Sequence, residues 1–450
     1  MWPPASDPFA VRLLFPVLMA AALASARATE GYVASVQPLA TRAGLDALQA
    51  GGNAIDAAAA VALTLGVVDG HNSGIGGGCF FLARLADGTF VAIDGRETAP
   101  ARATRDMYLR EGKPVDDLSK TGPLASATPG ALAVYAEAVR RHGKLPFAKA
   151  LDAGIRHAEE GFAIDRVYAR KLAGQATNLA LFPSSKAIFL KPDGSPYLEG
   201  EKIVQKDLAQ SYRTIAREGT DWFYRGAFAK TVEKYMKSSG GILNAEDFRE
   251  YKPKERSPLL TGYRGWTIVG FPPPSSGGIH VAEMLNILEA MEGRMPKPGT
   301  PEFLHRMTEV MKLAFADRAY WLGDPAFVDV PRGLTNAVYA RELAAKIDPK
   351  KATPVTHGTP PDWQGNVFDK HTTHFCVADA EGNWVSCTAT INTPFGSKVV
   401  IPGTGILMNN EMDDFAVAPG IPNYFGLVGG EANAIAPGKR PLSSMSPTLV

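Results

Sequence analysis

The stretch DKHTTHFCVADAEGNWVSCTATIN (residues 369–392) consists of two runs of alternating apolar and polar residues on either side of Ala380-Glu381-Gly382. A three-residue loop with glycine in its left-handed position predicts a β-hairpin that pairs Asp379 with Asn383. Counting outward from that pair, Thr372 lies opposite Thr390. The register sorts the side chains into a polar face with Thr372, His374, Thr390 and Asn392 and an apolar face with Phe375, Val377, Val385, Cys387 and Ile391.

A slip of one residue is the alternative register. It would place Cys376 opposite Cys387 and separate the two threonines. We favour the first register because it gives the hairpin one consistently apolar face.

The rest of the chain mixes helical and strand patterns. Apolar residues recur at helical spacing over 38–50, 54–67, 129–142, 147–160, 227–238, 279–291 and 301–322. Alternation over 80–85 and 89–94, around Ala86-Asp87-Gly88, predicts a second hairpin. Residues 349–370 are rich in proline, threonine, glycine and charge without any period, which predicts a surface loop immediately before the first hairpin.

Composition narrows the classes of partner. Lysine and arginine number 47 against 46 acidic residues, so a net charge of +1 provides no long-range field for nucleic acid or anionic lipid, and a small-molecule partner is favoured.

Residues 11–24 form an apolar run followed by Ala26-Arg27-Ala28, which predicts a secretory signal peptide over 1–28. A buried or anchoring helix is the alternative. Cys79, Cys376 and Cys387 are too few for a disulfide framework or zinc site, and we expect packed thiols.

A threonine where a strand follows a surface loop can carry specific chemistry. A hydroxyl is a weak nucleophile without a base, but the threonine at the start of a chain has its own α-amino group, whose pKa is about 7.7–8.0. Thr372 is internal, so this amine would require cleavage of the bond that follows His371. Thr390 could then orient the Thr372 hydroxyl. The plainer alternative is an ordinary cross-strand threonine pair on a solvent face.

Several polar segments could bind a small zwitterion. The segment GILMNNEMDDF (405–415) gathers Asn409, Asn410, Glu411, Asp413 and Asp414, which could bind an ammonium group. Calcium binding and a plain polar turn are the alternatives there. Arg96, just beyond a predicted strand, could clamp a carboxylate, and Ser443 and Ser444 offer paired hydroxyls. The glycine run GIGGGC (74–79) follows a helix and precedes a strand, the reverse of the order in a dinucleotide-binding motif.

Taken together, these segments resemble the γ-glutamyltranspeptidase (γ-glutamyltransferase) family of N-terminal-nucleophile hydrolases. The similarity runs in family order from about residue 32 to residue 450 and is carried by LATRAGLDALQAGGNAIDAAAAVALTLGVV, NSGIGGGCF, DGRETAPARATRDMY, FPPPSSGG, TTHF, TATINTPFGS, GILMNNEMDDF and PNYFGLVGGEANAIAPGKRPLSSMSPT. The resemblance implies an α+β fold with four layers, in which two antiparallel sheets lie between layers of helices.

The resemblance also implies a mechanism without metal or organic cofactor. The precursor would cut itself into a large subunit (29–371) and a small subunit (372–450). Thr372 would then attack the γ-glutamyl amide of glutathione or a related compound and pass the acyl group to water, an amino acid or a peptide. The site residues implied are Thr390 and Asn392, which would support the nucleophile and the substrate, Glu411 and Asp414 for the α-amino group, and Arg96, Ser443 and Ser444 for the α-carboxylate.

Two departures from the family pattern stand out. In PNYFG, Phe425 takes the place of a tyrosine that covers the substrate in bacterial relatives, with Tyr424 before it. The family also extends beyond the position of residue 450, where a Gly-Gly pair supplies the oxyanion hole, so we expect the carboxyl-terminal part to be missing here. The rival interpretations are a cephalosporin (glutaryl) acylase of the same superfamily and a non-catalytic, truncated family member. With a signal peptide, the location implied is periplasmic or secreted, with no membrane span once the signal is removed.

Overall fold

The computed structural model describes residues 31–115, 117–291, 293, 295–361, 373–418 and 420–450. The predicted signal peptide, His371 and Thr372 therefore lie outside the described residues. In the part that is described, the α-helices span Pro38–Gln49, Ala54–Val68, Ala131–His142, Phe147–Glu160, Arg166–Leu179, Pro183–Phe189, Lys206–Glu218, Asp221–Tyr224, Ala227–Ser239, Ala245–Glu250, Gly277–Ala290, Pro301–Trp321 and Ala337–Ala344.

The strands, numbered in chain order, are β1 (Gly31–Ala34), β2 (Gly78–Arg84), β3 (Phe90–Gly95), β4 (Leu109–Arg110), β5 (Lys113–Pro114), β6 (Phe162–Ala163), β7 (Lys202–Ile203), β8 (Lys254–Arg256), β9 (Leu259–Tyr263), β10 (Trp266–Gly270), β11 (Thr373–Asp379), β12 (Trp384–Thr390) and β13 (Thr448–Leu449). The described residues form one six-stranded antiparallel sheet in the order β1-β11-β12-β2-β3-β8 and one three-stranded sheet in the order β13-β10-β9, besides two short strand pairs.

The two faces of β2 and β3 show how these sheets are layered. Phe81 and Ile93 point into a core shared with the helices Ala54–Val68 and Ala131–His142. Phe80 points the other way and stacks on Phe271, with ring centroids 4.5 Å apart, in a core between the two sheets. Each buried phenylalanine contributes about 1.5–3 kcal/mol.

A third core joins the smaller sheet to the helix Gly277–Ala290. The order helix, sheet, sheet, helix confirms the predicted four-layer α+β fold.

The helix Ala54–Val68 lies at the centre of the first helical layer. Asn53 caps it, because its side chain accepts from the amides of Ile55 and Asp56 while Asp56 accepts from the amide of Asn53. Nearly every residue of this helix is buried, as expected for a helix that is apolar on all sides. The helix ends at Val68, and the glycine run that follows at 74–79 extends into the start of β2, so the predicted order of helix, glycines and strand is confirmed.

Most predicted elements are present with ends shifted by one or two residues. The helices that were not predicted are Arg166–Leu179, Pro183–Phe189, Lys206–Glu218, Asp221–Tyr224, Ala245–Glu250 and Ala337–Ala344. The expectation of three packed thiols is wrong for Cys376, which is exposed because it lies on the outer face of β11, whereas Cys79 and Cys387 are buried.

Candidate active site

The hairpin β11–β12 adopts the first of the two registers considered. The amide of Asp379 donates to the carbonyl of Asn383 (3.1 Å), and Gly382 is left-handed with φ 90°. Thr373 pairs with Ala389 and Phe375 with Cys387, which excludes the one-residue slip. The predicted pairing of Thr390 with Thr372 lies outside the described residues.

Thr390 ends β12 in a fully buried position. Its Oγ1 accepts a hydrogen bond from the amide of Asn392 (2.7 Å), and no acceptor among the described residues takes its own hydroxyl hydrogen. The backbone of Gly77 packs closely against that of Thr390. A Cβ on Gly77 would lie 1.8 Å from the Thr390 carbonyl oxygen, so only glycine permits this approach. Thr390 is therefore not part of a solvent-exposed threonine pair.

Asn392 follows in a left-handed conformation with φ 72°. Its Nδ2 donates to the carbonyl of Asn410 (3.0 Å), which joins the end of β12 to the segment that carries the acidic residues. Its Oδ1 is buried and has no hydrogen-bond donor within the described residues. An oriented but unused acceptor of this kind is available to a ligand.

Arg96 lies just beyond β3, as predicted, and is completely buried. Its Nη2 donates to Asp414 Oδ2 (2.5 Å), its Nη1 donates to Glu411, and its Nε donates to the carbonyl of Pro441 (3.1 Å). The structure thus brings together three predicted residues from two distant segments. In this conformation both arms of the guanidinium fork bind carboxylates of the protein itself, whereas the sequence analysis assigned Arg96 to a substrate carboxylate.

A third acid, Glu97, completes this cluster and was not singled out from the sequence. Glu97 Oε2 lies 3.6 Å from Arg96 Nη1, and the Glu97 carboxyl group lies next to that of Glu411. Burial raises the pKa values of Glu97, Glu411 and Asp414, although Arg96 opposes the shift in each. The only feature of the sequence that could have identified Glu97 was its position next to Arg96 in DGRETAP.

Asp94 stabilises the segment that carries Arg96 and Glu97. It is buried between Arg440, whose Nη1 donates to Asp94 Oδ1 (2.7 Å), and Arg256, whose Nη2 donates to Asp94 Oδ2 (2.7 Å). Burial alone would raise the pKa of Asp94, but the two arginines hold it below its usual value. Arg440 also donates to the carbonyl of Arg96 (3.2 Å), so the strand end and the loop before Ser443 are fixed to each other.

Ser443 and Ser444 lie on that loop. Ser443 is buried, and its Oγ has no hydrogen-bond partner within the described part of the chain. Ser444 is half-buried, and its Oγ accepts from Arg318 Nη2 (3.4 Å). Arg318, on the helix Pro301–Trp321, was also missed; as a charged residue within a long amphipathic helix, it resembled an ordinary surface residue.

The loop 422–426 joins the same site. Asn423 Nδ2 donates to Asp414 Oδ1 (3.1 Å), and the amide of Tyr424 donates to Asp413 Oδ2 (2.9 Å). The Tyr424 ring is 48% exposed and meets Phe425 edge to face. The acidic residues of 411–414 therefore bind both Arg96 and this loop. Among the described residues no group of three or more histidine, cysteine or acidic residues is arranged to bind a metal ion.

Three kinds of comparison with known proteins give consistent results. The family model described as gamma-glutamyltranspeptidase matches residues 40–450. A glutathione hydrolase proenzyme of Escherichia coli (strain K12) is 44% identical over 430 residues, which cover 94% of this chain and 73% of that protein.

Two solved structures are also similar. A cephalosporin acylase from Bacillus halodurans has a TM-score of 0.83 and 31% identity, covering 100% of this chain and 78% of that one. A γ-glutamyltranspeptidase from Helicobacter pylori has a TM-score of 0.70 and 39% identity, covering 71% of this chain and 93% of that one. The expectation that further sequence belongs after residue 450 stays a prediction.

No helix within the described ranges combines the length and the apolar character that a bilayer crossing requires.

Proposed function

Because the chain belongs to the γ-glutamyltranspeptidase family, we propose that it is a γ-glutamyltransferase and glutathione hydrolase produced by self-cleavage of a precursor. The observation that carries the proposal is the convergence of three segments. Thr390 and Asn392 at the end of β12 meet the segment of Glu411 and Asp414 through the carbonyl of Asn410, and Arg96 binds both of those acids. The word proenzyme in the name of the E. coli relative supports the cleavage step.

Thr372 is the proposed nucleophile. Its hydroxyl attacks the carbonyl carbon of His371, and cleavage of the peptide C–N bond frees the α-amino group of Thr372 and leaves an ester. Water then hydrolyses that ester, which gives the His371 carboxylate and restores the Thr372 hydroxyl. That amine then accepts the hydroxyl proton when Thr372 attacks a γ-glutamyl amide. Thr390 supports this role because its oxygen is occupied by the Asn392 amide while its hydrogen can still be donated to the nucleophile.

The charged cluster is the proposed receptor for the α-amino and α-carboxylate groups of the substrate. Glu411 and Asp414 would hold the ammonium group, and Arg96 with Ser443 and Ser444 would hold the carboxylate. Glu411 Oε2 and Ser443 Oγ support this assignment, since both are buried without a hydrogen-bond partner among the described residues. Binding would then pull the Arg96 fork partly away from the two acids and toward the substrate carboxylate.

The subunits proposed are a large one ending at His371 and a small one beginning at Thr372, with water, amino acids or peptides as acceptors. The apolar run at 11–24 and the cleavage motif Ala26-Arg27-Ala28 support export to the periplasm or the medium.

Amino-terminal sequencing of the purified protein tests the proposal. We expect a second amino terminus that reads TTHFC, together with release of glutamate from glutathione. Thr372→Ala should abolish both cleavage and turnover, because one hydroxyl serves both steps. Two normal subunits in that variant would refute the assignment, and a folded wild type that stays uncleaved and inactive would favour the non-catalytic alternative.

An acylase acting on glutaryl side chains is the second candidate, favoured by the similarity to the B. halodurans cephalosporin acylase. A glutaryl group has no α-amine, so it would leave Glu411 and Asp414 without their proposed ligand. Comparing hydrolysis of a γ-glutamyl anilide with that of a glutaryl anilide separates the two. Preference for the glutaryl compound would reverse our choice.

A further inference from the structure

Four residues between 392 and 398 have positive φ: Asn392 (72°), Phe395 (61°), Gly396 (48°) and Lys398 (65°). For residues other than glycine this conformation is unfavourable by about 1–2 kcal/mol each. Such conformations persist only when surrounding contacts enforce them, and they are concentrated at functional sites. The turn 391–398 directly follows Thr390 and includes Asn392, so its conformation sets the position of the Asn392 side chain.

The Lys398 side chain lies inside this turn. It is 4% exposed, and its Nζ donates to the carbonyl of Gly396 (2.7 Å), to Thr393 Oγ1 (3.2 Å) and to the carbonyl of Lys120 (3.3 Å). An ammonium group has three donors and no acceptor, so three uncharged oxygens match its capacity.

These contacts continue to Asn392 through Asn410. The Asn410 side chain donates to Thr393 Oγ1 (2.9 Å) and accepts from the amide of Thr393 (3.1 Å). The carbonyl of Asn410 in turn accepts from Asn392 Nδ2 (3.0 Å), and the next residue is Glu411. One ammonium group therefore stabilises the geometry that presents both Asn392 and the start of the acidic segment.

We propose that Lys398 is a positioning residue for the γ-glutamyl reaction, whose ammonium group holds the turn 391–398 so that Asn392 faces the reacting centre. The expected effect of Lys398 on reaction rate rests on the proposed function. Its expected effect on the conformation of the turn rests on the geometry of the turn alone. Lys398 acts through Thr393 and Asn410 and need not touch the substrate.

The protonation state of Lys398 makes the proposal testable. Burial lowers the pKa of Lys398 to about 8, although the carboxylates of Asp413 and Asp117 oppose the shift. Above that pH one of the three donors becomes a lone pair that faces an oxygen acceptor, which is repulsive. The contribution of Lys398 to activity should therefore be present below pH 8 and disappear as the pH rises through it.

The variant Lys398→Met removes the charge at every pH. We expect kcat/KM for a γ-glutamyl anilide at pH 7 to fall by about tenfold or more, the effect of losing a hydrogen bond to a charged group. The ratio of wild-type to variant kcat/KM should shrink toward one between pH 7 and pH 9.5, following the pKa of about 8. Titration of the Thr372 amine affects both proteins and cancels in the ratio.

Lys186→Met is the matched control. Lys186 is exposed on the helix Pro183–Phe189, whose Ser185 binds the carbonyl of Lys398, so the same substitution is made nearby on the solvent face. It should leave kcat/KM unchanged at every pH. A wild-type to Lys398→Met ratio that is large but independent of pH would indicate a merely structural role and overturn the proposal.

Hydrogen exchange of the wild type supplies a measurement that needs neither the variant nor activity. After correction for the intrinsic exchange rate, protection of peptides covering 391–398 should be lower at pH 9.5 than at pH 7, while that of the helix Ala54–Val68 should not change. Equal protection of the turn at both pH values would overturn the proposal. Failure of the wild type to hydrolyse any γ-glutamyl compound would instead contradict the proposed function.

Discussion

Thr390→Val tests the arrangement at the end of β12. Valine and threonine have nearly the same size and shape, so the substitution creates no cavity at a fully buried position. It removes the oxygen that accepts the Asn392 amide at 2.7 Å and the hydrogen proposed to orient the nucleophile. Thr390→Ser is the matched control, because serine keeps the hydroxyl and loses only a methyl group.

The expected changes in the free energy of unfolding and in kcat follow from these contacts. A buried amide left without an acceptor costs about 1–3 kcal/mol, and here the amide belongs to a residue held at φ 72°. We expect Thr390→Val to lower the free energy of unfolding by that amount. Thr390→Ser should lower it by about 0.8 kcal/mol, the value of one buried methylene. Loss of the orienting donor should reduce kcat of the valine variant by about tenfold or more, while the serine variant stays close to wild type.

Urea unfolding gives the stabilities, and initial rates with a γ-glutamyl anilide give kcat for the fully cleaved fraction of each protein. The two variants are compared at equal extent of self-cleavage, judged from the two subunit bands. Equal losses of kcat in the valine and serine variants would show that the methyl group matters rather than the hydroxyl. That result would refute the role given to Thr390.

The charged groups lead to two further predictions. Asp414→Ala should permit self-cleavage yet raise KM for γ-glutamyl donors by about 30-fold or more, because truncating one partner of a buried charge pair costs about 2–5 kcal/mol; an unchanged KM would count against its role. Asp94→Asn should lower the free energy of unfolding at pH 7 by about 3–5 kcal/mol, since it leaves Arg440 and Arg256 without their anion. The folded-state pKa of Asp94 lies below its ordinary value of 3.8, so this stabilisation is present above that pH and is lost in acid; a wild-type advantage that persists unchanged far below pH 3.8 would contradict it.

Local patterns were sufficient for much of the fold. Alternation and one left-handed glycine predicted the register of β11 and β12, because side chains in a strand alternate faces and a slip would have exposed the apolar set. The helix Arg166–Leu179 was missed although its Asp165 cap is present, since only three of its residues are buried and its apolar stripe is narrow.

In the candidate site, too, some features could be predicted from the sequence and others could not. Arg96, Glu411 and Asp414 could be selected from the sequence as charged residues beside apolar strands, and the family resemblance gave them roles. Their contact with one another could not be predicted, since it spans 315 residues or more along the chain. Glu97 and Lys398 were missed because a lone acid or lysine in a sequence resembles a solvated one until its burial is known.

The sequence by itself determined many of the elements, the hairpin register and the residue types available for acyl transfer, because these depend on local periodicity and side-chain chemistry. Only the tertiary structure decided that the Arg96 fork binds two carboxylates, that Gly77 passes beneath Thr390, and that the Lys398 ammonium is buried within a left-handed turn. The reason is physical: distance and desolvation set the energy of a charge or a close contact, and both arise from segments that meet only when the layers pack.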